Sequence, residues 1–364
     1  MKKNNNIILT DYEFIFTTIG CIMGMGILSL PNTAVSIAKQ DGWISTILGS
    51  VYPLYIVLMA SIILKRNPNT NIMDLSKKYL GKIFGNLLNF LFMAQFLYFA
   101  IMVISAGISL LITYAVWFMT PFKVALILVC LVVYGSYKGL KVLSRINVIS
   151  FFAFISMMLV TFIAFKHGSL LNVQPVFGTE IGKIAKAGIS TSFAYANMEV
   201  ILIIHTFVNN KDKIIKSALK CTLIVTLIYT WSVFTAIFYM GPDIVPKSFW
   251  PFYFVSESVR IPVVNNFRFI IMIFWPFFIY KTVANEYFLS ASIMDSITGI
   301  DYKKWCIFLS PIILFLPILF ENEIVRRNFS DSVTPFISIF NLSYITLIAI
   351  FVVKKSNKQK SNAS

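Results

Sequence analysis

About ten stretches of nearly unbroken apolar residues succeed one another along the chain, separated by short polar connections. They run approximately over residues 12–37, 43–64, 83–113, 120–137, 146–165, 184–207, 217–240, 266–291, 304–320 and 333–353. Each approaches the length a helix needs to cross roughly 30 Å of hydrocarbon, the fourth and ninth being short. The pattern predicts an all-α integral membrane protein forming a single transmembrane domain over residues 1–364. The first run is too long, and lacks the small-residue cleavage site, for a removable signal peptide, so the first helix is expected to be retained.

Composition agrees with that reading. Hydrophobic residues make up 58% of the chain and charged residues 13%, far too apolar for a soluble domain of this size. The net charge of +16 could suggest nucleic acid, but the Lys and Arg residues fall in short clusters between apolar runs, as cytoplasmic loops require. Twenty of the 31 basic residues lie on the side of the ten-span layout that holds both termini, ten lie on the other, and Lys281 lies within a span. Both termini are therefore expected on the cytoplasmic side, and no nucleic-acid partner is expected. The basic segment 354–364 is expected to be a disordered tail near anionic lipid headgroups.

Two spans carry a defect at mid-depth. In the first, Gly24-Met25-Gly26-Ile27 is followed by Pro31; in the sixth, Gly188 to Ser192 is followed by Ala194, Ala196, Asn197 and Glu199. Ten spans divide into two sets of five, about 12–165 and 184–353, and the defect falls in the first member of each. Matching interruptions in corresponding helices are the sequence mark of an inverted-repeat transporter site. An opened helix exposes backbone N–H groups at the start of its outer half, which attract an anion, and carbonyls on its other half, which can hold an ammonium or a cation. Gly24 and Gly26 leave room for a carboxylate to reach the main chain. The competing reading of the glycines alone is close helix packing.

These residues resemble a known family. The Gly24-Met25-Gly26-Ile27 segment with Pro31 is similar to the Gly-x-Gly-Ile break of the amino acid/polyamine/organocation transporter superfamily. Phe193-Ala194-Tyr195-Ala196-Asn197-Met198-Glu199 resembles its second break, with Asn197 in place of the usual glycine. Within that superfamily the whole chain resembles the endospore germination permeases, the B subunits of spore germinant receptors. The similar features are Asp11-Tyr12-Glu13, Gln40-Asp41-Gly42-Trp43, Leu80-Gly81-Lys82 and Tyr137-Lys138-Gly139-Leu140, in that order. Near the eighth span many relatives carry Glu-Arg with an Asp soon after, where this chain has Asn265-Asn266-Phe267-Arg268. The resemblance implies a LeuT-like fold, a small germinant such as an amino acid, an A subunit and a C-subunit lipoprotein as partners, and the spore inner membrane as location.

The ligand-binding residues expected are Gly24, Met25, Gly26, Ile27, Phe193, Ala194 and Asn197, with Gln95 and Tyr98 as a wall from the third span. Glu199, Lys281 and Glu286 are the gating or coupling candidates. Glu199 is expected to brace the opened backbone against the first helix, or to act as a gate or proton-responsive group. Lys281, five positions from Glu286 and turned away from it, can put its ammonium where a coupling sodium sits in related folds. Glu286 is expected near the cytoplasmic end, within reach of water. His205 and His167 have no companions for metal binding or catalysis, and the four cysteines are scattered singly. The loop Gly241 to Val264, rich in Pro and aromatics, is expected to be structured, over an outer vestibule or packed on the helix ends. No nucleophile-base-acid set, phosphate loop or zinc spacing is present in the sequence, so no enzyme, cofactor or metal is expected. Three functions are compatible: a germinant-receptor subunit, a proton- or cation-coupled amino acid transporter, and a scaffold that binds no ligand.

Overall fold

A computed structural model describes residues 9–257, 267–320 and 322–361. The chain there is helical throughout, apart from an isolated bridge in which Leu9 N–H donates to Phe207 O at 2.8 Å. In chain order the helices are α1 (Asp11–Ile22), α2 (Gly26–Ala38), α3 (Gly42–Gly49), α4 (Val51–Arg66), α5 (Ile72–Leu80), α6 (Lys82–Tyr114), α7 (Pro121–Lys138) and α8 (Leu140–Val160). Then come α9 (Ile181–Ser192), α10 (Ile201–Ile204), α11 (Ile214–Met240), α12 (Pro251–Glu257), α13 (Arg268–Thr298), α14 (Tyr302–Phe308), α15 (Ser310–Phe315) and α16 (Glu323–Ser361).

Six helical stretches among the described residues are long and apolar enough to cross a membrane, and two bent helix pairs raise the number to eight. All ten expected apolar runs fall on helical chain, but several are interrupted. The first is split between α1 and α2, the second bends at Ser50 between α3 and α4, and the ninth is divided among α14, α15 and a short 3-10 turn. α13 is 31 residues long, and its apolar run is broken by the polar side chains Lys281, Thr282, Asn285 and Glu286, all of which point into the protein and are buried.

The outer faces of the bundle are apolar as well as its core. Leu54 and Leu58 on α4, Leu87 and Leu91 on α6, and Leu219, Leu223 and Leu227 on α11 form exposed apolar stripes at helical spacing. Patches of that extent suit lipid, not water. The interior also holds polar pairs. Asn147 of α8 and Asn285 of α13 exchange amide hydrogen bonds of 2.9 Å each, and Ser136 of α7 donates to Ala284 O at 2.9 Å. α6 and α13 are the most extensively packed pair, with α1 lodged against α8, α11 and α13.

The short turn motifs have local physical reasons. Gly81 and Gly139 both have positive φ, +82° and +90°, where a side chain is strained, and each turns the chain between two helices. Asp41 is fully buried and accepts from Phe177 N–H and Thr179 N–H, both at 2.8 Å, fastening the α2–α3 corner to the loop before α9. Of the loop expected to be structured, Gly241 to Val264, residues 241–257 are described and are ordered on the helices: α12 packs on α2 and α11, and Trp250, Phe252 and Tyr253 are buried. Residues 258–266, including Asn265 and Asn266, lie outside the described residues. Of the tail 354–364, expected to be disordered, residues 362–364 lie outside the described residues. α16 continues through Ser361, consistent with the good helix propensity of Lys and Gln.

Candidate functional site

The first break opens between Ile22 and Gly26. Met23 is extended (φ −84°, ψ 92°), and its N–H still reaches Ile19 O at 2.8 Å. The next four carbonyls of α1 would be orphaned in an interior that tolerates few orphans, and each meets a side chain. Gly20 O and Met23 O accept from Lys281 Nζ at 3.0 and 2.6 Å, with the Thr282 hydroxyl 3.4 and 3.2 Å away. Ile22 O accepts from Tyr229 at 3.2 Å, and Cys21 O lies 3.5 Å from Asn197 Nδ2. Gly20 permits this approach of α1, because a Cβ there would fall within the Asn147 side chain.

On the far side of the break, α2 starts at Gly26 with no side-chain cap. Its first amides have no partner within the helix by construction, and they concentrate the positive end of its dipole. A Cβ built on Gly26 meets nothing within 4 Å, so a side chain there would project into open space. One on Gly24 would come within 3.0 Å of Thr282 Cγ2.

The second break follows α9. A 3-10 turn, Phe193–Tyr195, leads to extended Ala196 and then to Asn197, which adopts φ +74° in the left-handed region before the chain resumes at Met198–Val200 and α10. The two halves are bent by 44°. Asparagine is one of the few residues other than glycine that visits this conformation readily, so replacing the usual glycine keeps the interruption. Tyr229 of α11 joins both breaks, its hydroxyl lying 3.1 Å from Ala194 O as well as 3.2 Å from Ile22 O.

Between the two breaks lies a cavity of about 820 Å³. Gly24, Met25 and Gly26 from the first break, and Phe193, Ala194 and Asn197 from the second, line it together with Glu286 of α13. Its α6 wall is Phe99, Met102, Val103 and Ala106. Gln95 and Tyr98, expected in that wall, do not line the cavity. Gln95 is buried one turn away, and Tyr98 is 3.1 Å from the Thr334 hydroxyl of α16. Ile27 and Lys281 instead border a smaller pocket behind the break, with Trp275 and Phe278.

Glu199 is fully buried in a turn that packs on α1, but its side-chain hydrogen bonds go elsewhere. Its carboxylate accepts from Tyr52 of α4 and from Asn341 Nδ2 of α16 at 3.1 Å. The expectation of an α1 partner is thus corrected: the second break is braced from α4 and α16. Glu286 was expected to reach water near a helix end. It is 1% exposed, and its Oε1 accepts from Asn197 Nδ2 at 2.8 Å. No bond links it to Lys281, in keeping with their angular separation on α13.

Toward one end the cavity is bordered by Asn32 and Ser36 of α2, by Pro246, Phe249 and Trp250, and by the start of α16. Asn32 Nδ2 donates to Pro246 O and Ser248 O at 2.8 and 2.7 Å. Arg327 donates to Phe249 O at 2.6 Å and lies 5.0 Å over its ring, while Glu323 holds Arg326 and Arg327 at 2.9 and 2.7 Å. The loop after Gly241 was expected over an outer vestibule or on the helix ends, but its partners Asn32 and Arg327, distant in the chain, were not signalled by the sequence.

Unwound segments facing a shared cavity, inside a bundle with apolar outer faces, define a multi-pass helical membrane protein of the permease-like class. The chain matches the spore germination protein family model over residues 8–325 and belongs to that family. It is similar to the spore germination protein GerQB of Bacillus cereus, 24% identical over 95% of each chain. Spore germination protein A2 of Bacillus subtilis (strain 168) is 21% identical over 97% of this chain and 98% of its own. Spore germination protein KB of the same strain is 24% identical over 64% of each.

Proposed function

We propose that the chain is the B subunit of a spore germinant receptor, and that an amino acid or similar small germinant binds in the cavity between the two breaks. Binding biases a conformational equilibrium that is passed to a membrane-anchored A subunit and a C-subunit lipoprotein. A ligand does this only by favouring one state over the other. The observation carrying the reading is the cavity itself. Its size suits a small molecule, and its floor comes from two unwound segments, one of which presents an uncapped helix start at Gly26.

The wider arrangement belongs to the same proposal. The ten apolar runs are the spans of two inverted five-helix repeats, α1 and α9 each opening the first span of its half. Both termini face the spore core across the inner membrane, the side that holds most of the basic residues. Lys281 occupies the place of a coupling cation: it neutralises the carbonyl end of α1 with a tethered ammonium, so that no diffusible ion is needed there.

Gly26→Leu in germinating spores tests the reading, because the new side chain projects into open cavity. Germinant response should be lost while the protein accumulates normally. Unchanged specificity and sensitivity would instead favour a scaffold. A coupled transporter is the remaining alternative, and it predicts that the isolated chain in vesicles accumulates labelled amino acids without its partners.

A further inference from the structure

The four carbonyls released at the end of α1 are already engaged by Lys281, Thr282, Asn197 and Tyr229. At the second break Phe193 O accepts from Ala196 N–H at 3.2 Å, and Ala194 O competes with Ile22 O for the single Tyr229 hydroxyl proton. A cationic ligand group entering the cavity therefore finds most of these carbonyls already in use. Two side-chain acceptors that border the same cavity are without a partner. Glu286 uses Oε1 to accept from Asn197 and leaves Oε2 unbonded, and Asn197 uses Nδ2 as donor and leaves Oδ1 unbonded. Glu286 is 1% and Asn197 4% exposed. Buried oxygens of this kind are costly unless a donor reaches them.

We propose that Glu286 Oε2 and Asn197 Oδ1 form an ammonium subsite, so that the ligand must carry a protonated amine. This rests on the cavity being the germinant site. The bond from Asn197 Nδ2 to Glu286 Oε1 orients the amide and the carboxylate relative to each other, and a side-chain shift brings the two buried free oxygens to the ligand. The uncapped start of α2 lies in the same cavity and suits an anionic group. A zwitterion satisfies both sites at once, and the ligand's own positive charge compensates Glu286. Lys281 lies behind the break, outside the main cavity, and is engaged by carbonyls. It is not a competitor for Glu286 Oε2.

The test uses the full chain in detergent, with ligand-induced thermal shift against the standard α-amino acids and, for each that binds, the hydroxy acid that replaces the amine by a hydroxyl. Glu286→Gln retains size and one acceptor but removes the charge, and Asn197→Gly removes the amide while accepting the positive φ. Wild type should prefer the amino acid over its hydroxy acid. Glu286→Gln should weaken the amino acid by about 10- to 100-fold while changing the hydroxy acid little, and Asn197→Gly should act in the same direction. Equal losses for both ligand types, or no loss in either folded variant, would overturn the subsite and leave the cavity reading standing. Failure of wild type to bind any amino acid would overturn both.

Discussion

Replacing Lys281 by Met removes the ammonium that closes the first break while keeping a chain of similar length. Lys281 is buried and donates to Gly20 O and Met23 O at 3.0 and 2.6 Å. A bond from a charged donor is worth roughly 1.5–3 kcal/mol, so the pair contributes about 3–6 kcal/mol. Two effects oppose the loss. The single Thr282 hydroxyl proton can turn to one of the two carbonyls, although Phe278 O at 3.1 Å competes for it. Relief from burying an ammonium also offsets part of it. The net weakening is about 2 kcal/mol, roughly a 30-fold shift in the opening equilibrium of this segment. Hydrogen exchange resolved by peptide reads it directly. Amides of residues 20–28 should exchange about 30-fold faster in the variant, with those of α7 unchanged. In spores the same variant should alter germinant response. Unchanged protection at residues 20–28 together with a normal response would refute the idea that Lys281 holds the break closed, and uniform loss in every helix would assign it a merely global role.

Gly24→Ala should destabilise the detergent-solubilised chain by about 1 kcal/mol, since its Cβ presses on Thr282, whereas Gly26→Ala should be neutral or slightly stabilising. Thermal unfolding of the two side by side checks this, and equal effects would contradict it. Asn341→Leu removes a donor from buried Glu199 and should cost roughly 1–3 kcal/mol, seen as faster proteolysis around residues 193–200; an unchanged digestion pattern would mean that Asn341 does not brace the second break. Asp41→Ala strips the acceptors of Phe177 N–H and Thr179 N–H and should lower the unfolding midpoint more than Asp74→Ala, whose exposed carboxylate lies 4.0 Å from Lys77.

Both interruptions were legible in the sequence because their causes are local. Gly24 and Gly26 weaken the first helix where they stand, and Asn197 tolerates the left-handed turn on its own account. The turns at Gly81 and Gly139 are local in the same sense. The partners of the breaks were not legible. Tyr52 and Asn341, which hold Glu199, lie 147 and 142 positions away, and Tyr229 lies 207 positions from Ile22. An apolar run tells which residues enter the membrane but not which helix faces meet, so Glu199 was paired with the wrong helix. Gln95 was given a place in the cavity that Phe99 and Met102, one and two turns along α6, occupy. Lys281 was the exception. A lone cation in an apolar run must find acceptors, and the carbonyls freed by a broken helix are acceptors the interior otherwise lacks.

The central claim is that the cavity between the two breaks is where the germinant binds. Photocrosslinking tests it most directly: the purified chain is irradiated with a diazirine-bearing amino acid that triggers germination, and the modified peptides are mapped. The account predicts labelling within residues 21–37, 99–106 and 190–197, with Thr282 and Glu286 as further targets, suppressed by excess unlabelled germinant. Competable labelling elsewhere, with those three segments unmodified, would contradict it.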